Sequence, residues 1–123
     1  MSSQAQRAAA FLALHEDERP LLLPNPWDVG SATLLAAAGF KALATTSSGF
    51  AATLGRLDGS VGRDEALAHA SAIARAVELP ISADLENGFA DERADVADTV
   101  GRGHPHAARG CGFRSCSDPP CQS

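Results

Sequence analysis

Two carboxylates, Asp84 and Glu86, stand two residues apart at the end of a short apolar run, Ile81 to Leu85. In an extended strand, side chains at i and i+2 leave the same face, so this spacing sets both acids side by side. Two acids facing into a packed parallel sheet are costly unless they hold a cation or meet solvent at the strand end. Hard oxygen donors in a small site suit Mg²⁺, often through bound water. The alternative is that both acids cap the turn and helix that follow. A second group, Thr45-Thr46-Ser47-Ser48-Gly49, closes another apolar run. Small hydroxyls next to a glycine let backbone N–H groups approach an anion closely. An ordinary polar exit from a strand has the same composition. Asp58-Gly59 is equally open between a turn and a site acid. His15 and His69 fall on helices with no partner evident, and both are read as structural or surface residues.

The third constellation lies near the C-terminus. Cys111, Cys116 and Cys121 recur every five residues, with His104 and His106 upstream. The spacing departs from the usual zinc pattern of close Cys pairs, and three is an odd count. Residues 1–100 contain 14 Asp or Glu and 7 Lys or Arg, whereas 101–123 contain one acid, Asp118, and three arginines. No Leu, Ile, Val or Met follows Val100. A stretch without aliphatic side chains cannot bury a core face. The expected division is a foldable part over 1–100 and a Cys/Gly/Pro-rich tail over 101–123 that is disordered or frameshifted.

The elements that position the first two groups read as follows. Ser3 caps a helix to about His15, with Ala8, Phe11, Leu12 and His15 on one face. Leu21 to Leu23, between Pro20 and Pro24, fits a strand covered on both faces. Asp28 caps a helix through Leu34, Leu35 and Ala38 that stops at Gly39. Phe40 to Thr46 is a second strand, and Ser47 to Arg63 a long glycine-containing connection. Asp64 caps a helix with an apolar face of Leu67, Ala70, Ile73, Ala74 and Val77. Ile81 to Leu85 is a third strand, Asn87-Gly88 a turn, and Asp91 to Val100 a last helix. Strands alternating with amphipathic helices predict an α/β fold with parallel strands, whose sites form at the strands' C-terminal ends.

Composition narrows the function further. The chain has 123 residues and a formal net charge of −5, which argues against nucleic acid or an anionic membrane as a general partner. No apolar run approaches the roughly 18–20 residues of a membrane helix. The N-terminus lacks a signal pattern, so a cytoplasmic location is expected. There is no GxGxxG after the first strand and no GxxxxGK[ST], which weakens dinucleotide and nucleotide-triphosphate readings.

The stretch LLLPNPWDVGSATLLAAAGFKALATTSSGFAATLG, then LDG, then PISADLENGF, resembles the isocitrate lyase / phosphoenolpyruvate mutase superfamily, and among it the small phosphonomutase-like members. The resemblance runs over about residues 8–100. It implies that Ser48, Gly49 and Phe50 hold the carboxylate of a 2-oxo acid through a hydroxyl and backbone amides. It implies that Asp84 and Glu86 hold Mg²⁺ directly or through water, and that Asp58 is a catalytic aspartate near the metal. Glu86 stands where many members have Asp, and Phe89-Ala90 replaces a common Tyr-Gly. The implied chemistry makes or breaks a C–C or P–C bond beside a 2-oxo acid, through a pyruvate enolate. The implied fold is a (β/α)₈ TIM barrel of roughly 250 residues. This chain supplies an N-terminal helix and about three βα units of it, so it is expected to be truncated and inactive alone. The implied partner is a small-molecule 2-oxo acid or related carboxylate, and members of the superfamily oligomerise. The competing expectation is a non-catalytic remnant, or a small α/β binding module with a zinc-binding Cys/His tail.

Overall fold

The structure, a computed structural model, describes residues 3–103. Its first element, α1 (Gln4–Glu16), begins at a reciprocal cap. The Ser3 hydroxyl accepts the Gln6 N–H at 3.2 Å, and Gln6 Oε1 accepts the Ser3 N–H at 2.7 Å. Of the predicted face only Phe11 is buried, and Leu12 is 61% exposed. A polar contact anchors the helix instead. The Arg7 guanidinium donates to Ala74 O at 2.9 Å, at the end of a later helix where carbonyls lack partners and a cation is favoured.

Asp28 caps α2 (Val29–Ala37), its Oδ1 accepting the Ser31 N–H at 2.7 Å. Gly39, at φ +94°, turns the chain out of the helix in a conformation that costs glycine least. Two strands follow at a distance in sequence, β1 (Leu43–Ala44) and β2 (Ile81–Ser82). They pair in parallel, Leu43 opposite Ile81 and Ala44 opposite Ser82. Between them lie α3 (Ser47–Thr53) and α4 (Arg63–Ala76), and α5 (Arg93–Gly103) comes last. The core is Ala32, Leu43, Ile73, Ala74, Val77 and Ile81, with Leu35 and Phe40 packed against it. It joins α2, α4 and the two strands into one layer of helices on a small sheet. Each large aliphatic buried there contributes about 1.5–3 kcal/mol.

Four expectations need correction. Leu21 to Leu23 forms no strand, and Leu22 is 68% exposed rather than covered. Prolines 20, 24 and 26 offer no N–H, so a regular ladder cannot run through the segment. It is still tied to β1: Pro24 O accepts the Ala44 N–H at 3.1 Å, and Asn25 Nδ2 donates to Ala44 O at 2.9 Å. Second, the connection from Ser47 to Arg63 contains α3. Thr46 is its N-cap, with Oγ1 accepting the Gly49 N–H at 3.4 Å, and Phe50, Ala51 and Ala52 continue it. Third, Gly62 rather than Asp64 is the N-cap of α4. Asp64 sits in the first turn and pairs at the surface with Arg102 at 3.0 Å. Fourth, both strands are shorter than predicted, which places Asp84 and Glu86 beyond β2.

The α5 helix continues through Gly103, three residues past the boundary drawn at 100. His104, His106, Cys111, Cys116 and Cys121 lie outside the described residues. No described helix is long and apolar enough to cross a membrane.

Candidate metal and carboxylate site

The polar groups collect where β1 and β2 end, the edge at which parallel α/β folds build their sites. Thr45, buried just past β1, accepts the Asp84 N–H on its Oγ1 at 2.9 Å. Asp84 answers across the same gap: its Oδ2 accepts the Ser47 N–H at 3.0 Å. Its Oδ1 accepts the Glu86 N–H, also at 3.0 Å. The Asp84 carboxylate is therefore aimed by two backbone amides from different elements. Each oxygen of an ionised carboxylate accepts more than one bond, so both retain capacity for a further ligand. The turn-capping alternative holds for Oδ1 but leaves the Ser47 contact unexplained.

Glu86 reaches this site by a different route from the one its spacing suggests. It is not on an extended strand. Its φ is +50°, in the left-handed region, and Phe89 follows at +57°. Such a conformation costs a non-glycine residue about 1–2 kcal/mol and is found where surrounding structure imposes it. The two acids still line one small cavity, together with Thr46, Ser47, Phe50 and His69. Its volume is about 10 Å³, the room of a single water. Burial pushes the Glu86 carboxyl above its ordinary range, and the charges of Asp58 and Asp84 push it further in the same direction. Glu86 thus sits near two further carboxylates. Among the described residues, no three Asp, Glu, His or Cys side chains close around a point as a ready metal cage.

The remaining predicted residues divide. Ser48 is exposed, its hydroxyl 3.3 Å from Thr46 Oγ1. Gly49 is buried against Trp27: a Cβ there would stand 2.6 Å from the indole Cδ1 and Nε1, so no other residue fits without movement. The Gly49 N–H is already bound to Thr46 Oγ1 and the Ser47 N–H to Asp84. Phe50 lies half-buried in the cavity wall. Asp58 is exposed in its turn, where Oδ1 accepts the Gly59 N–H at 3.1 Å. It is felt by Glu86 as charge but does not line the cavity.

His69, expected to be a structural or surface residue, makes two structural contacts beside the cavity. Its ring stacks face to face on Phe50, centroids 3.8 Å apart and 12° from parallel, and its Nε2 lies 2.9 Å from Trp27 O. His69 falls three residues after Ala66 and four before Ile73, on the inward side of α4. His15 is as expected, an exposed residue whose Nδ1 bonds Phe11 O at 2.8 Å.

The sequence matches the family model for phosphoenolpyruvate phosphomutase over residues 11–114. The chain belongs to that family. An uncharacterised protein of Mycobacterium tuberculosis strain H37Rv is 40% identical over 92 residues, covering 74% of this chain and 35% of its own. A crystal structure described as a lyase/mutase from Burkholderia cenocepacia J2315 superposes with a TM-score of 0.82 at 48% identity, over 85% of this chain and 38% of that one. A second from the same organism, described as a phosphonomutase, gives 0.79 and 40%, over 83% and 42%. More distant members are a 2,3-dimethylmalate lyase of the phosphoenolpyruvate mutase/isocitrate lyase superfamily, at 27% identity, and an oxaloacetate acetylhydrolase bound to its product oxalate, at 26%, each with a TM-score of 0.74. These are TIM-barrel proteins of which this chain covers part. It spans between 35% and 42% of the length of the Mycobacterium tuberculosis and Burkholderia cenocepacia relatives.

Proposed function

We propose that the chain carries the cation and carboxylate subsites of a Mg²⁺-dependent lyase or mutase that acts on 2-oxo or enol acids. The observation that carries this is the orientation of Asp84 by amides of both strand ends, with Glu86 beside it at a raised proton affinity. An all-oxygen donor set suits a hard divalent ion. A carboxylate whose proton affinity is raised by neighbouring negative charge, as Glu86 is, is one that a bound cation relieves. The residues therefore fit Mg²⁺, with Asp84 and Glu86 as its holders and Asp58 as a nearby carboxylate. Either acid would hold the ion directly or through bound water.

When bound, Mg²⁺ supplies Lewis-acid stabilisation of the negative oxygen that develops on an enolate. The chain's own residues do the rest. Thr45 and the Ser47 amide hold Asp84 in place. Ser48 offers its exposed hydroxyl to a substrate carboxylate, and Gly49, lacking a side chain, lets the Trp27 indole pack against the same segment. Phe50 walls the pocket. The family membership supports the reaction class, and the oxalate found in an oxaloacetate acetylhydrolase supports a small carboxylate as ligand. The proposal assigns binding to residues 1–100 and does not assign turnover to this chain alone.

Calorimetric titration of the full chain with Mg²⁺ tests it. Saturable binding that Asp84→Asn weakens by at least about tenfold is expected, the loss of roughly 1.4 kcal/mol or more. Equal binding in wild type and Asp84→Asn would overturn the assignment.

A further inference from the structure

We infer that His69 is a positioning residue for the Ser48–Phe50 segment, acting through Phe50 and Trp27. Three contacts and one peptide bond form a closed ring. The His69 imidazole stacks on Phe50, and its Nε2 bonds Trp27 O. A carbonyl oxygen only accepts, so Nε2 is the ring nitrogen that carries the proton. The indole of Trp27 in turn packs so closely on Gly49 that a Cβ there would overlap it. Gly49 and Phe50 are neighbours in the chain, which closes the ring. Three separate pieces of structure meet in it: the loop before α2, the start of α3 and the middle of α4.

This ring holds the part of α3 that the preceding proposal uses. Ser47, one residue before Ser48, donates its N–H to Asp84 Oδ2. A change in how Phe50 rests on α4 therefore reaches Asp84 through Ser47, over one turn of helix. Trp27 is 51% exposed, so core burial alone does not fix it. Its backbone N–H donates to Ser31 Oγ at 2.9 Å, and the two contacts just described add Gly49 on its side chain and His69 on its carbonyl. The family reading assigns His69 no role, and its contacts give it one: it sets where the carboxylate-binding segment stands.

The inference rests on the proposed carboxylate site for its consequence, but not for the ring itself, and the experiment separates the two. Three forms of the full chain are compared: wild type, His69→Phe and His69→Gln. Phenylalanine keeps a ring on Phe50 and loses the donor to Trp27 O. Glutamine keeps an amide N–H at the place of Nε2. The readouts are the backbone amide resonances of residues 47–50, the emission of Trp27 (the chain's sole tryptophan) and the affinity for oxalate in the presence of Mg²⁺. His69→Phe is expected to shift the amides and the emission and to weaken oxalate by about two- to tenfold, the worth of one hydrogen bond. His69→Gln is expected to restore affinity to within about twofold of wild type, on the same reasoning, even where its Tm is lower. A purely structural histidine would lower Tm in both variants and leave affinity alike in both, which would overturn the inference. Should wild type bind no oxalate, the proposed site fails, and the ring is judged on the amides alone. Unchanged resonances at 47–50 in His69→Phe would then overturn it. If His69→Phe does not fold, Phe50→Leu removes the stacked ring from the other side, with the same shifts expected and the same null result decisive.

Discussion

Glu86 concentrates the tension of the site in one residue. Its backbone is held at φ +50° and its carboxyl is partly buried beside two like charges. In the folded chain the group keeps its proton to higher pH than in the unfolded chain. Folding therefore favours proton uptake by Glu86, and its contribution to stability falls as pH rises from the usual carboxylate range through the raised value. Above that window the ionised group opposes folding; below it the penalty is absent. Glu86→Gln removes the charge and keeps the shape. Its Tm should exceed that of wild type at pH 7, and the gap should close as the pH is lowered through about 4.5, the ordinary value for a glutamate. Thermal melts of both proteins across that range check it. A gap that widens toward acid would mean that Glu86 is stabilised, not opposed, by its neighbours. Asp84 and Glu86 were legible as a pair in the sequence, but not their geometry. Strand alternation predicts a shared face, whereas the shared cavity is produced by an amide-bound carboxylate followed by a left-handed turn.

At the scale of elements, local signals were read well and their tertiary use less so. The caps Ser3 and Asp28, the stop at Gly39 and the apolar face of α4 are local chemistry, and the structure uses each of them. Leu21 to Leu23 misled because hydrophobicity is blind to the missing donors of the flanking prolines. The α3 helix was hidden because serines and a glycine read as loop unless Thr46 is seen as its cap. The partners of His69 are not legible in the sequence, because Phe50 and Trp27 reach it only through the fold. The α4 helix carries the most weight, since Ile73 is fully buried at the centre of the core and His69 lies one turn before it. Ile73→Ala should cost about 2–5 kcal/mol, the transfer loss plus an unfilled cavity. Chemical denaturation should show this as a lower midpoint. A loss under about 1 kcal/mol would mean that the core does not depend on this helix as described.

The whole molecule presents an ordered site on a scaffold with much apolar surface. Leu57, Leu34 and Leu22 are 83%, 72% and 68% exposed, and β1 and β2 form a sheet of only two strands among the described residues. The family's solved members are barrels, and this chain covers about two fifths of each of the two Burkholderia cenocepacia structures. Binding is separable from turnover at this scale, because the two acids proposed to hold the cation both lie just beyond β2 and are positioned by Thr45 and Ser47 just beyond β1. The most direct test uses Mn²⁺ in place of Mg²⁺ and reads paramagnetic broadening of backbone amide signals in the full chain. Broadening is expected first at Ser47, Asp84 and Glu86, reversed by excess Mg²⁺ and abolished by Asp84→Asn. Broadening centred elsewhere, or unchanged in Asp84→Asn, would contradict the account.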